Sequence, residues 1–369
     1  MTQNALGVEF ELRLSENPKS EQERAAVLAN PGFGNHFTDH TAIVDYTVDS
    51  EGKGGWHDAR IEPYGPIAMD PAAAVLHYGQ EIFEGLKAYR HADGTVWTFR
   101  PEANAARFNR SARRLALPEL PPEVFIESLR RLVAVDKAWV PTNEGESLYL
   151  RPFMIATEAF LGVRPAHEVS YRVIASPAGN YFGDIKPVSI WLSEKYARAG
   201  HGGTGEAKCG GNYAASLAAQ LEAEEHGCKQ VLFLDPTDDY AVEELGGMNI
   251  FFLFTDGTLV TPALNGNILH GVTRDSILQL ATDRGLTVQE RKITIADWRQ
   301  AVADGTLAEV FACGTAAVIN PIGELKTAEG SLVTPELPED SVAMSIREQL
   351  LGIQTGMVDD LHGWLTQLA

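Results

Sequence analysis

A mixed α/β (α+β) fold in two domains is what this sequence predicts, on three observations. The chain has 369 residues, enough for two separate cores. Its composition, 44% hydrophobic at a mean hydropathy of -0.12, is that of an ordinary globular protein. Short apolar segments with the period of a strand alternate with amphipathic helical stretches, and the pattern changes character at Pro187. The predicted division is a smaller N-terminal α/β domain over residues 1–177, a connection over 178–186, and a larger C-terminal domain over 187–369.

In the first half, Val8 to Leu14 alternates as an edge strand, and the residues up to Asn30 read as polar connection. A turn follows at Pro31 to Gly34; Phe33, Phe37 and His40 around it suit core or turn packing. HTAIVDY and GGWHDARIEPYGPIAM supply strands separated by Gly-rich turns. LHYGQEIFEGLKAY brings Tyr78, Phe83 and Gly85 near one another, as a pocket wall or as aromatic core. A hairpin turning at HADG leads into TVWTFR, then a helix over EANAARFNRSARRLAL carries Arg107, Arg110, Arg113 and Arg114 beside the apolar stripe of Phe108, Ala112 and Leu115. A second helix spans Glu123 to Lys137. In the strand SLYLRPFMIA, Tyr149 and Arg151 share a face because strand side chains repeat every two residues; a phenol beside a guanidinium suits either a grip on a carboxylate or an ion pair along the ladder. SYRVIASP closes the half as a strand.

The second half opens on the strand VSIWLS and then on GGTGEAKCGGNYAASL, where Lys208 sits in glycine-tight turns just before a helix from about Asn212 to Gly227. Taken alone, the segment suits either a solvent-facing lysine in a flexible loop or, since a surface lysine needs none of this packaging, one that bonds to an aldehyde in a desolvated socket. Strands follow at Gln230 to Asp235, around VEELGGMN and from Asn249, with a hairpin through Thr255 to Thr258. Gly271, Val272 and Thr273 stand at the entry of a helix running from about Arg274 to Thr282, where backbone donors and a hydroxyl meet a positive helix end, the best candidate on the chain for a phosphate site. LTVQERKI reads as strand and DWRQAVADG as helix. EVFACGTAAVINPIG reads as a strand entering a turn at Gly314, Thr315 and Ala316, which suits a second anion cradle or a plain strand end. The last helix is near Val342 to Leu351, and LHGWLTQLA is expected as a short terminal helix.

Thirty Lys and Arg against fifty Asp and Glu leave a formal charge of -20, which disfavours nucleic acid and anionic membrane as partners. No apolar run approaches the roughly 18 residues of a membrane span, and the first residues lack a basic head followed by a hydrophobic block. Three cysteines, Cys209, Cys228 and Cys313, are odd in number and lack close spacing, so a reduced cytoplasmic protein without disulfides or a metal site is expected. No dinucleotide or phosphate-loop fingerprint occurs.

From FGNHFTDH through LHYGQEIFEGLKAYR, FRPEANAARF, SLYLRPFMIATE, AGNYF, GEAKCGGNYAAS, VEELGGMNIFF, LNGNILHGVTRDS and EVFACGTAAV, the chain resembles the fold-type IV pyridoxal-phosphate enzymes, and among them the branched-chain amino acid aminotransferases. The resemblance implies a cofactor in an interdomain cleft, bonded to Lys208, with Glu244 pairing the pyridine nitrogen and Tyr213 reaching the ring oxygen. It implies a phosphate held by Arg107, Val272, Thr273, Thr315 and Arg198. It places Phe33, Tyr78, Phe83, Tyr181 and Gly85 in the aliphatic lining, Thr315 and Ala316 at the substrate α-carboxylate, and Tyr149 with Arg151 at the distal carboxylate of glutamate. The implied reaction is reversible transfer of an amino group between leucine, isoleucine or valine and 2-oxoglutarate; other enzymes of this fold type, acting on D-amino acids or aminodeoxychorismate, would use the same lysine and glutamate. A homodimer handling small amino and 2-oxo acids is implied as well. Two departures stand out: Ala317 and Asn320 occupy the positions of the CxxC found in mammalian members, so a thiol switch of that kind is not expected, and Gly247 stands where those members have threonine.

Overall fold

The computed structural model describes residues 9–179 and 186–369, which gather into two compact units, Met1–Tyr181 with Gly352–Ala369, and Phe182–Leu351. Tyr181 and most of the expected connection lie outside the described residues.

The first unit contains β1 (Glu11–Leu12), α1 (Glu21–Leu28), β2 (His40–Val48), β3 (Gly54–Pro63), α2 (Ala74–Tyr78), β4 (Glu81–Phe83), β5 (Leu86–Arg90), β6 (Val96–Phe99), α3 (Pro101–Arg114), α4 (Pro122–Val135), β7 (Ser147–Ala156) and β8 (Glu168–Ala178). Its sheet runs β1-β3-β2-β8-β7-β5-β6, with β4 also on β7. Proline at the first turn starts both α3 and α4, where its missing N–H costs nothing. They bury Phe108 and Phe125 against Tyr171 of β8, whose hydroxyl lies 2.9 Å from that of Ser128. Helix α1 replaces the expected polar connection. Ser20 and Glu23 form a reciprocal capping box, a signal that S-x-x-E carries in the sequence itself.

The second unit contains β9 (Val188–Leu192), α5 (Gly210–Glu225), β10 (Gln230–Asp235), β11 (Ala241–Leu245), β12 (Asn249–Phe254), β13 (Thr258–Thr261), α6 (Val272–Asp283), β14 (Thr287–Glu290), α7 (Ile295–Ala303), β15 (Leu307–Gly314), β16 (Val318–Thr327), β17 (Gly330–Val333) and most of α8 (Val342–Gln354). The sheet order is β11-β10-β9-β16-β15-β12-β13-β14, with β17 on β16, and parallel and antiparallel pairs mix. Ile190, Leu232, Phe252, Val260, Trp298 and Leu325 belong to its core.

The tail is not a helix. Residues Leu365–Gln367 form β18, which pairs antiparallel with β6, and Arg100 N–H and Val96 N–H donate to the carbonyls of Trp364 and Ala369. Isolated helices of nine or so residues are marginal, whereas the open edge of β6 offers a row of unpaired backbone groups. This pairing moves Gly352–Ala369 out of the expected C-terminal domain and into the first unit, leaving the second unit as the shorter of the two.

Candidate active site

In the second unit the site grows from the loop before α5. Asn212, in the first turn of α5 and 96% buried, donates through Nδ2 to the carbonyls of Thr204 and Ala207, each at 2.8 Å, and accepts from the Thr204 hydroxyl at 2.7 Å. The loop is pinned on its other side by Asn267: a Cβ on Gly205 would come within 2.3 Å of the Asn267 carbonyl oxygen, so only glycine fits there. With buried Ala207 and Cys209 on either side, Lys208 projects from a rigid base, and its Nζ donates to the Tyr213 hydroxyl at 2.8 Å. The helix start that carries Tyr213 also fixes the lysine's main chain. Asn212 anchors the loop, and the sequence reading passed it over, although an asparagine at a helix entrance is a known local hydrogen-bonding signal.

Glu244, 98% buried on β11, accepts from Leu269 N–H at 2.9 Å and Asn249 Nδ2 at 3.3 Å and pairs with Arg198 Nη1 at 3.0 Å. Arg198, expected at a phosphate, is placed instead against this carboxylate, with further donations to the carbonyls of Asn267 at 2.8 Å and Gly205 at 3.3 Å. Its charge is committed where a buried anion would otherwise be short of a cation. Asn249 also donates to the Leu269 carbonyl at 3.1 Å, and a Cβ on Gly271 would meet Asn249 Oδ1 at 2.0 Å. Gly271 therefore lets the entrance of α6 come up to the Glu244 network.

That entrance is the expected anion site. Gly271 caps α6 without a side-chain hydrogen bond, so the first-turn amides, including those of Val272 and Thr273, are not taken by a capping side chain. The hairpin turn between β15 and β16 comes to the same neighbourhood: a Cβ on Gly314 would meet Met248 Cγ at 3.3 Å, and one on Gly247 would meet the Tyr213 ring at 3.8 Å. Thr315 and Ala316 lie in this turn, which closes on Val318 with φ of +61°, a strained value for a β-branched residue. A side chain at Gly247 would stand in contact with the Tyr213 ring. Burial pushes the thiol of neighbouring Cys313 well up, which keeps it protonated and unreactive.

The first unit holds a second group. Tyr149 and Arg151 project from one face of β7, and Arg151 Nη2 donates to the Tyr149 hydroxyl at 3.1 Å. The guanidinium lies 4.8 Å from the centroid of Phe83, and Phe33 packs edge-on to Tyr149 at 5.1 Å. Gly85 is glycine for a visible reason, since a Cβ there would sit 2.0 Å from the Tyr149 hydroxyl. Tyr78 is not joined to this group by its ring or hydroxyl contacts: its hydroxyl donates to the Leu161 carbonyl and its ring tilts against His77. Arg107, also expected at the phosphate, is buried in α3 with its fork turned onto Glu84, Nε and Nη2 donating at 2.7 and 2.8 Å.

A separate cavity of about 650 Å³ in the second unit is lined by Tyr196, Tyr240 and Arg299 among others; Lys208, Tyr213 and Glu244 do not line it. Among the described residues no group of His, Cys, Asp and Glu could hold a metal ion, and no helix is long and apolar enough to cross a membrane.

The second unit's donors fit pyridoxal phosphate. An amine stands beside a phenol, a buried carboxylate is fixed by an amide, an asparagine and an arginine, and a helix start lacks a capping side chain; these match the cofactor's aldehyde, ring nitrogen and phosphate. The family model for class IV amino-transferases matches residues 81–325, and the chain belongs to that family. Within it the chain falls among the branched-chain-amino-acid aminotransferases. It is 58% identical to the one from Mycolicibacterium smegmatis over 370 residues, covering 99% of this chain and 100% of the relative. It is 55% identical to that of Mycobacterium tuberculosis over 373 residues, with both chains fully covered. Among solved structures, the Escherichia coli branched-chain amino acid aminotransferase aligns at a TM-score of 0.70 and 27% identity, over 84% of this chain and 97% of that one.

Proposed function

We propose that this chain is a pyridoxal-phosphate-dependent transaminase moving an amino group reversibly between leucine, isoleucine or valine and 2-oxoglutarate, with Lys208 as its catalytic residue. The observation that carries the assignment is the Lys208 Nζ to Tyr213 hydroxyl contact at 2.8 Å on a loop fixed by Asn212. The cofactor, when bound, supplies an aldehyde for the amine and a conjugated ring that takes up the electrons released at the substrate α-carbon. The chain's own groups do the rest. With the cofactor bound, Lys208 would be the residue that holds its aldehyde, and its amine would be the group that carries the proton of the substrate α-carbon. Tyr213 orients that amine and presents its hydroxyl to the ring oxygen. Glu244 keeps a proton on the ring nitrogen, and its own donors stop it from turning away.

The phosphate is assigned to the Val272 and Thr273 amides, the Thr273 hydroxyl and Thr315; Arg107, whose guanidinium is paired with Glu84, remains assigned to it by the resemblance alone. Thr315 and Ala316 receive the α-carboxylate. Phe33, Phe83 and Gly85 shape the aliphatic lining, and Tyr78 and Tyr181 remain assigned there by the resemblance. Tyr149 and Arg151 receive the distal carboxylate of glutamate, the one anionic side chain among the substrates.

The test is Arg151→Ala followed by single-turnover absorption with each amino donor. Loss of a charged hydrogen bond worth about 1.5–3 kcal/mol slows the glutamate half-reaction roughly tenfold to a hundredfold relative to the leucine half-reaction. An unchanged ratio of the two rates refutes the carboxylate grip. Wild-type protein incubated with pyridoxal phosphate gains a visible absorption band that changes on adding leucine or glutamate; a colourless protein ends the transaminase reading.

The working form is proposed to be a cytoplasmic homodimer. The three buried, unbridged cysteines are in keeping with a reducing compartment. Light scattering is expected to report twice the chain mass of 40.1 kDa, and a fully active monomer refutes the dimer.

A further inference from the structure

Beside Glu244 stands a second buried carboxyl group that the chemistry above leaves unused. Glu243 is 1% exposed, and its Oε1 accepts from Asn267 Nδ2 at 2.7 Å. Among the described residues its other oxygen, Oε2, has no hydrogen-bond partner, and neither has Oδ1 of the same Asn267, which is also 1% exposed. Two lone acceptors thus belong to two residues that are already joined by one hydrogen bond. A carboxylate cannot relieve this, because all its oxygens only accept. A proton on Glu243 turns one of its oxygens into a donor, and an acid facing an amide can then close a two-way pair with both orphaned oxygens satisfied. We propose that Glu243 is held as a neutral carboxylic acid and, locked to Asn267, acts as a positioning residue that sets Arg198 against Glu244.

The link to the cofactor site is short. The Asn267 main-chain carbonyl accepts from Arg198 Nη1 at 2.8 Å, and the same nitrogen reaches Glu244 Oε1 at 3.0 Å. A shift of the Asn267 main chain, which its side-chain lock to Glu243 resists, would therefore move the arginine that fixes the Glu244 carboxylate.

The charged surroundings favour the acid form. Asp235 on β10 lies against the same amide, accepting from Asn267 Nδ2 at 3.3 Å and from Asn265 Nδ2 at 3.4 Å. Burial alone would raise the Asp235 carboxyl, but the Thr237 hydroxyl at 2.6 Å and amide at 2.8 Å, with His201 nearby, hold it below the ordinary value and so anionic. For Glu243, burial is the leading influence, and the anions Asp235 and Glu244 add to it. The Asn267 hydrogen bond and Arg198 oppose it, and the net result is a group pushed up to about 7. Two nearby carboxyls are thereby driven apart in acidity, so that one keeps its proton when the other has lost it.

The role of the pair rests on Glu244 being the ring-nitrogen partner, and the experiment separates the two claims. Infrared spectra of the cofactor-free protein are expected to show the carbonyl stretch of a protonated carboxyl at pH 6, fading through pH 7–8 and missing in Glu243→Gln. No band lost in that variant overturns the neutral acid. Thermal stability gives a second reading of the same proton. The folded chain keeps a proton that the unfolded chain, with a carboxyl at its ordinary 4.5, releases. The stabilisation is therefore full below that value and is lost as pH rises through about 7. The melting temperature of wild type should fall between about pH 4.5 and 7 relative to Glu243→Gln and level off above, and parallel curves count against the proposal. In the cofactor-loaded protein, Glu243→Leu is expected to shift the pH midpoint of the visible band, and Glu243→Gln, which keeps the Asn267 contact, to restore it. An infrared acid band with the visible midpoint unmoved in Glu243→Leu overturns the positioning role if Glu244→Gln moves that midpoint. If Glu244→Gln also leaves it unmoved, the assignment of Glu244 is what fails.

Discussion

Lys208→Ala leaves a folded chain that still binds pyridoxal phosphate and no longer transaminates. Holding and chemistry use different groups here. The α6 entrance and the Glu244 carboxylate are built from β11, β12 and α6, whereas the lysine side chain reaches out to Tyr213. The Asn212 clamp grips the main chain of the loop and is untouched by the substitution. Removing both the nucleophile and the proton carrier should reduce turnover by about a thousandfold or more. The measurement is steady-state transamination of leucine with 2-oxoglutarate, alongside retention of the cofactor through gel filtration. Loss of folding and cofactor in step with activity would mean that Lys208 is structural.

Glu244 yields the other large effect, and here stability and chemistry are coupled. Glu244→Ala removes the anion from a buried arginine that has few alternatives, since Arg198 is 4% exposed and its remaining donations go to neutral carbonyls. Breaking a buried ion pair from one side costs about 3–5 kcal/mol, which should appear as a marked drop in melting temperature even without cofactor. Glu244→Gln keeps an acceptor for Leu269 N–H and so spares part of the fold, but a neutral amide cannot hold the ring nitrogen protonated. Turnover should fall by about a hundredfold or more in both variants, while only the alanine variant loses most of its stability. Near-normal rates in Glu244→Gln would show that the carboxylate is not the ring's partner.

Much of this was legible in the residues. The strands over Ser147–Ala156 and Gln230–Asp235 and the helices of the second unit follow the periodicity and turn signals closely, because each is a local pattern read against one buried face. Helix α1 was just as legible in its Ser20 and Glu23 box and was missed because its apolar face is thin, with no residue of it buried. Lys208 stood out through the glycines around it, and Glu244 through the motif it shares with the resembling family. The fate of the tail was not legible: LHGWLTQLA has too few residues to declare a period, and its conformation depends on the open edge of β6, far earlier in the chain.

What the sequence determined by itself is the chemistry available: one lysine in a glycine-tight loop, a helix entrance able to take a phosphate, and a tyrosine and an arginine two residues apart on a strand. Those follow from residue type and local spacing, which act through the chain's own covalent geometry. What only the tertiary structure decided is which charges face one another. Arg198 and Arg107 looked equally suited to a phosphate, yet one is bound to Glu244 and the other to Glu84, each distant along the chain. Burial makes an unpaired charge so costly that each arginine is claimed by the anion the fold brings to it. The same long-range packing sets Asn267 against Glu243 and leaves their two oxygens waiting for a proton.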